Sequence, residues 1–271
     1  MRIILLLLIV AVLLSAYLPL ENVFRLLPGA EKQPALRVHF IGNSLTFYHD
    51  IPGLVRALSH RVSGGRTLQV SSSAFPGVTL EWHFSNGLTS ESLKNGHYDY
   101  VVLQEQSDRL ARDPASSTRD LRAAVRMVRE AGAKPLLYSI MSGTWDSMIQ
   151  EDLERRLKLI ARTEGAEVVP VSEVWQAFHR RNVKDSVFMP DRHHPSPLGS
   201  YLAALTFICA IEGQLPRGLP ERLLPQPQYL MDYLREGSRV EIRPELEGPM
   251  LMATSLICGA GNLGSSRAET H

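Results

Sequence analysis

The sequence predicts an α/β fold, a three-layer α/β/α sandwich around a parallel, flavodoxin-like sheet. Three observations predict it. Short β-rich runs alternate with helical patterns from Leu36 to Ile211, the order that builds a parallel sheet covered on both faces. Runs such as Tyr98 to Leu103 (YDYVVL) and Leu136 to Ile140 are dominated by apolar residues, as strands buried on both faces are. Polar residues suited to chemistry follow these runs, at the carboxyl ends where open parallel sheets bind ligands.

Leu36 to Ile41 is the first strand, and Ile51 to Val62 is helical in pattern. Leu68 to Ser73 is the second strand and Tyr98 to Leu103 the third. An amphipathic helix follows, with Leu121, Ala124, Val125 and Val128 on one face. Lys134-Pro135 leads into the fourth strand, Leu136 to Ile140. Ile149, Leu153, Leu157 and Ile160 mark the next helix, which Gly165 ends. Glu167 to Val171 is the fifth strand, and a further helix begins over Ser172 to His179. Leu198 to Ile211 closes the domain, with Ser196 as N-cap and Pro197 at the first helical position.

The flanks read differently. Arg2 precedes Ile3 to Leu14, a stretch without a polar residue. A positive charge before such a run reads as an export signal. With Leu18, Pro19 and Leu20 the run nears the roughly 17 to 25 residues that span a bilayer. Residues 1–20 are therefore expected to be a signal peptide or an N-terminal membrane anchor, and either puts the domain outside the cytoplasm. Residues 21–35, with Pro28-Gly29 and Pro34, read as a linker, and 36–213 as the domain. Residues 214–258 form an extension, Pro-rich to Pro227, with a short helix candidate near Tyr229 to Leu234 and an unassigned apolar segment from Met250 to Ile257. Residues 259–271 read as a disordered tail.

Composition narrows the partners little. Lys+Arg number 29 against Asp+Glu 28, so no basic surplus points to nucleic acid. Cys209 and Cys258 sit in apolar surroundings and read most simply as two buried thiols. Export would permit a disulfide between them. No CxxC or close Cys/His pair suggests zinc, and no cofactor is implied.

Reading only the strand ends gives a short list of chemistry. Gly42-Asn43-Ser44-Leu45 follows the first strand, and Phe75-Pro76-Gly77 the second. Gln104-Glu105-Gln106-Ser107-Asp108 follows the third, and Asp191-Arg192-His193-His194-Pro195 lies near the domain's end. A serine at a strand-to-helix turn is accessible, but its hydroxyl is a poor nucleophile until a base takes the proton. His194 is suited to that task. Asp191, three residues earlier, can hold the imidazole in the required tautomer.

These pieces resemble the SGNH (GDSL-type) serine hydrolase superfamily. GNSL resembles the GDSL block, with Ser44 at the nucleophile position and Asn43 in place of the usual aspartate. Gly77 resembles the second-block glycine, whose N–H binds the oxyanion, and DRHHPSPLG resembles the final DxxH block. The resemblance spans about Leu36 to Gly213 and implies that fold. It implies a catalytic triad of Ser44, His194 and Asp191, with an oxyanion hole from Ser44, Gly77 and Gln104. The third block departs: LQEQSD stands where GxND is usual. Gln104 is the favoured amide donor, and Ser107 is the alternative under a strict alignment. Trp82, His83, Phe47 and Tyr48 are candidates for lining the cleft. Glu105 and Asp108 read as capping or solvated carboxylates rather than an acid–base pair. The implied activity is hydrolysis of a small-molecule or carbohydrate acyl ester, with acetyl groups on an envelope or extracellular polysaccharide as one candidate substrate. The alternatives are an exported O-acyltransferase using the same triad and an inactive binding module of the same fold.

Overall fold

The central strands of the sheet alternate their side chains between two apolar layers, and that alternation fixes what lies on either face. The computed structural model describes residues 34–62, 67–141, 147–181, 184–219, 222–223, 240–241 and 243–258. The chain divides into Met1–Pro34 and Ala35–His271, and the sheet with its helices belongs to the second unit.

In chain order the elements are β1 (Leu36–Gly42), α1 (Ser44–Phe47), a 3₁₀ turn (Tyr48–Asp50), α2 (Ile51–Ser59), β2 (Leu68–Ala74), α3 (Leu80–Ser85) and α4 (Leu88–Gly96). There follow β3 (Tyr100–Leu103), α5 (Ser107–Arg112), α6 (Pro114–Glu130), β4 (Lys134–Tyr138), α7 (Ser147–Glu164), β5 (Glu167–Val169) and α8 (Val171–His179). The chain continues with α9 (Pro197–Glu212), an antiparallel pair of two-residue strands, β6 (Arg222–Leu223) and β7 (Val240–Glu241), and α10 (Glu247–Cys258).

The five-stranded sheet runs in the order β2-β1-β3-β4-β5, and every pairing is parallel. This is the flavodoxin-like order, with its switch point between β1 and β3. Val38, Phe40, Val102, Leu136 and Tyr138 share one apolar layer with residues of α2, α8, α9 and α10. Ile41, Val101, Leu103 and Leu137 share the other with residues of α6 and α7, together with Leu80 and Leu93. The three-layer α/β/α sandwich is thus present.

The boundaries move by a residue or two at most strands. Tyr98 and Asp99 precede β3, because Asp99 has its N–H on Arg37 O and its carboxylate on Arg37 N–H before pairing begins. The apolar segment left unassigned around Met250 is helix α10. Met250 and Ala253 are fully buried in the layer that contains α8 and α9. The two cysteines are corrected here. Cys209 on α9 and Cys258 on α10 form a disulfide, with Cα atoms 5.3 Å apart. It closes 49 residues of sequence and ties the last helix to the domain.

Among the described residues no helix is long and apolar enough to cross a membrane. The expected signal or anchor at 1–20, the helix candidate at 229–234 and the tail at 259–271 lie outside the described residues.

Candidate active site

The nucleophile candidate stands where β1 stops. Asn43 is extended, and its side-chain oxygen accepts from Leu45 N–H, so α1 starts at Ser44 itself. Under this turn lies a buried polar bed. Gln104 Oε1 accepts from Asn43 N–H at 2.8 Å and from Thr46 Oγ1 at 2.9 Å. His83 Nε2 lies 2.7 Å from Gly42 O, and its Nδ1 lies 3.0 Å from Thr89 Oγ1. A carbonyl can only accept, so Nε2 carries the proton and Nδ1 accepts from the threonine hydroxyl. Burial pushes the His83 imidazole below its ordinary histidine range, against the opposing bond to Gly42 O.

Gly42 has no side chain because none fits. A Cβ there would lie 2.4 Å from Thr46 Oγ1 and 2.6 Å from Gln104 Oε1. Gly42→Ala is therefore expected to cost about 1 to 3 kcal/mol by overpacking and to displace the Ser44 turn. A lowered melting temperature together with weaker esterase activity is the expected result.

The base and acid candidates come from one short loop. Asp191 Oδ1 accepts from the N–H groups of His193 and His194 at 2.9 and 3.0 Å. Its Oδ2 lies 2.7 Å from His194 Nδ1. His194 Nε2 in turn lies 3.0 Å from Ser44 Oγ, across 150 residues of sequence. The loop is pinned at its base, where Met189 N–H donates to His194 O and Ser196 N–H to Val187 O. Desolvation would raise the Asp191 carboxyl, but the bonds from His194 and from the two N–H groups outweigh it and hold it at about 2.

Gly77 has φ +67°, a left-handed conformation that glycine alone adopts without cost. Its loop is tied to the nucleophile turn twice. Phe75 N–H donates to Gly42 O at 3.2 Å, and Asn43 Nδ2 donates to Val78 O at 3.1 Å. Among the described residues, neither Ser44 N–H nor Gly77 N–H has a hydrogen-bond partner.

Gln104 differs from the expected oxyanion donor. It ends β3 beside Ser44, but it is 1% exposed and its amide is committed to the protein. Its oxygen holds the turn, and its Nε2 donates to Glu105 O at 2.8 Å. The role these contacts describe is support from below. Ser107, the alternative donor, begins α5, and its side chain lies outside the described residues.

The neighbouring residues divide by function. Glu105 Oε1 accepts from the N–H groups of Leu80 and Gln106, and its Oε2 pairs with Arg109 at 3.0 Å. Burial raises the Glu105 carboxyl, and these partners oppose it. The contacts make Glu105 a brace between β3 and α3. His83 is buried beneath the turn and does not line a cleft. Phe75 and Trp82 are exposed by 41% and 39%, their rings edge-to-face at 5.4 Å. The Tyr48 ring lies on the His194 imidazole, with centroids 4.0 Å apart and planes 11° from parallel.

No family model and no curated protein matches the sequence. Solved structures do. A protein from Slackia heliotrinireducens assigned to the SGNH hydrolases is 27% identical, with a TM-score of 0.54, covering 65% of this chain and 98% of that one. The chain belongs to the SGNH hydrolase superfamily. Two further structures share the fold. A lipase/acylhydrolase from Enterococcus faecalis is 15% identical at TM-score 0.53, covering 68% of this chain and all of that one (100%). An acetylxylan esterase from Geobacillus stearothermophilus is 17% identical at TM-score 0.51, covering 68% and 97%.

This SGNH hydrolase is an enzyme acting on ester bonds. Its departure from the usual GDSL block has a geometric reason. An aspartate at position 43 could still accept from Leu45 N–H, but as a carboxylate it could not donate to Val78 O. The Asn43 amide does both, so one side chain caps α1 and fastens the Gly77 loop.

Proposed function

We propose that this SGNH hydrolase cleaves small acyl esters, acetyl esters of a carbohydrate above all, by a serine mechanism. One observation carries the reading: the unbroken chain from Asp191 Oδ2 through His194 to Ser44 Oγ, with spacings of 2.7 and 3.0 Å. In that mechanism His194 Nε2 takes the Ser44 proton as Oγ attacks the ester carbonyl. Asp191 accepts from Nδ1–H and so keeps Nε2 free to accept. The tetrahedral oxyanion is received by the N–H groups of Ser44 and Gly77. Collapse expels the alcohol, which takes the proton from His194, and an acyl-Ser44 ester remains. Water, deprotonated by His194, then attacks that ester. The acid leaves and Ser44 regains its proton.

The carbohydrate reading is supported by the exposed rings of Phe75 and Trp82 beside the Gly77 loop. Such rings suit the apolar face of a sugar ring. It is also supported by the similarity to an acetylxylan esterase. The apolar N-terminal run after Arg2 supports export, where polysaccharide esters would be met, with the domain held at the membrane if that run is uncleaved.

The test uses the full-length chain on p-nitrophenyl esters of rising acyl length and on acetylated xylooligosaccharides. Fastest release of acetate from the short and sugar esters is the expected result. A free sugar alcohol added to the assay separates hydrolysis from transfer, since an acyltransferase would acylate it. No turnover of any ester and no labelling by a fluorophosphonate would leave a binding module. Trp82→Ala is expected to raise KM about fivefold for the acetylated oligosaccharide, matching one lost stacking contact of roughly 1 kcal/mol. KM for p-nitrophenyl acetate should hardly change.

A further inference from the structure

We propose that Tyr48 is a positioning residue for His194, clamping the imidazole face so that Nε2 stays aimed at Ser44. The proposal rests on the Ser44–His194–Asp191 reading above.

The two hydrogen bonds on His194 lie at Nδ1 and Nε2, on either side of Cε1, and point outward in diverging directions within the ring plane. Bonds so placed resist displacement within the ring plane more than a tilt out of it. A flat contact on the ring face is what removes this freedom. Tyr48 supplies it, nearly coplanar at 11° and 4.0 Å. His193 meets the same ring only edge-on, at 86° and 4.8 Å.

Tyr48 is itself held on several sides. Phe47 stacks behind it at 5.8 Å, and Ser200 Oγ of α9 donates to Tyr48 O at 3.3 Å. The next two residues, His49 and Asp50, have φ of 51° and 50°. Two successive non-glycine residues in the left-handed region form a costly turn, and such turns persist only where the surroundings enforce them. Asp50 accepts from Gly53 N–H and starts α2 there. The strain lies immediately after Tyr48, where the chain must leave the imidazole and enter a new helix.

Placement adds a second advantage. Tyr48 is four residues beyond Ser44 in the same elbow segment. A displacement of that segment therefore carries nucleophile and ring contact together, and the Ser44–His194 alignment is preserved. When His194 takes the proton it becomes a cation, and an aromatic face attracts a cation more than a neutral ring. The contact strengthens as the transition state forms, which is the condition for raising kcat rather than lowering KM.

The experiment measures p-nitrophenyl acetate hydrolysis by the full-length parent, Tyr48→Ala, Tyr48→Leu and Tyr48→Phe, with melting temperatures and fluorophosphonate labelling rates. Loosened alignment of this kind is expected to lower kcat about 10- to 100-fold in the Ala and Leu variants. KM should stay within about threefold of the parent, and labelling should slow in step with kcat. Tyr48→Phe, which keeps the flat face, should restore kcat to within about threefold. Should Tyr48→Ala lack a cooperative melt, Tyr48→Leu, which keeps the bulk, decides. An active, labelled parent with an equally active Tyr48→Leu overturns the clamp and leaves the triad standing. A Phe variant as slow as Leu also overturns it, by assigning the effect to the hydroxyl. A parent that neither turns over ester nor labels overturns the triad reading, and the clamp falls with it.

Discussion

Ser44→Ala should lose about a million-fold in kcat, the scale seen when a serine protease loses its nucleophile. The variant keeps the oxyanion N–H groups, so residual hydrolysis above the uncatalysed rate should remain. Its melting temperature should stay close to the parent's, because the change removes one half-buried hydroxyl, which lies 3.0 Å from His194 Nε2. A fluorophosphonate should label the parent and leave Ser44→Ala unlabelled. Equal labelling of both would remove Ser44 from the chemistry.

Asp191→Asn is the second large effect, about 10,000-fold in kcat by analogy with the same change in a serine protease. The amide can place its NH₂ toward Nδ1 and force the proton onto Nε2, where it blocks attack by Ser44. Geometry at the loop should survive, since the Asn oxygen can still accept from the N–H groups of His193 and His194. Stability carries a distinct signature. The Asp191 carboxyl is held at about 2 in the folded protein, below its unfolded value near 3.9. Its contribution is fully present above the unfolded value and is lost as pH falls through about 2. The difference in melting temperature between parent and Asn variant should therefore shrink across that window. Measured in acid, a gap that persists would assign the effect to packing.

The sheet was legible because its strands are short apolar runs between turn signals, and β1, β3 and β4 pair where those runs lie. The proximity of Ser44, His194 and Asp191 was legible because polar residues in this architecture gather at strand ends, and the resemblance joined Ser44 to His194 across 150 residues. Helix α10 was not. Its apolar residues mark no single face in the sequence, and only packing against α8 and α9 shows that Met250, Ala253 and Thr254 form its buried side. The disulfide was hidden for a related reason, since pairing depends on how two helices are rotated toward one another. Gln104 was placed correctly at the end of β3, but the direction of a side-chain amide is set by neighbours distant in sequence. Here those are Asn43 and Thr46. Tyr48 was legible only as a candidate for lining the cleft, and its place on the His194 ring was not. The turn that follows it is built from His49 and Asp50, not from the glycines by which left-handed turns are usually read.

The amide at position 43 also changes the electrostatic field in which the reaction occurs. A carboxylate buried beside the nucleophile would set a full negative charge next to an oxygen that turns negative in the transition state. At such short range, in a medium of low dielectric, like charges repel by amounts that matter to a barrier. With Asn43 the groups bonded directly to this turn, the Gln104 amide and the His83 imidazole, carry no charge. Asp191 is the carboxylate bonded into the proposed relay, on the far side of His194 from Ser44, where its charge would favour the imidazolium. Within that relay, negative charge thus stands at the end that gains a proton and not at the end that gains an electron pair.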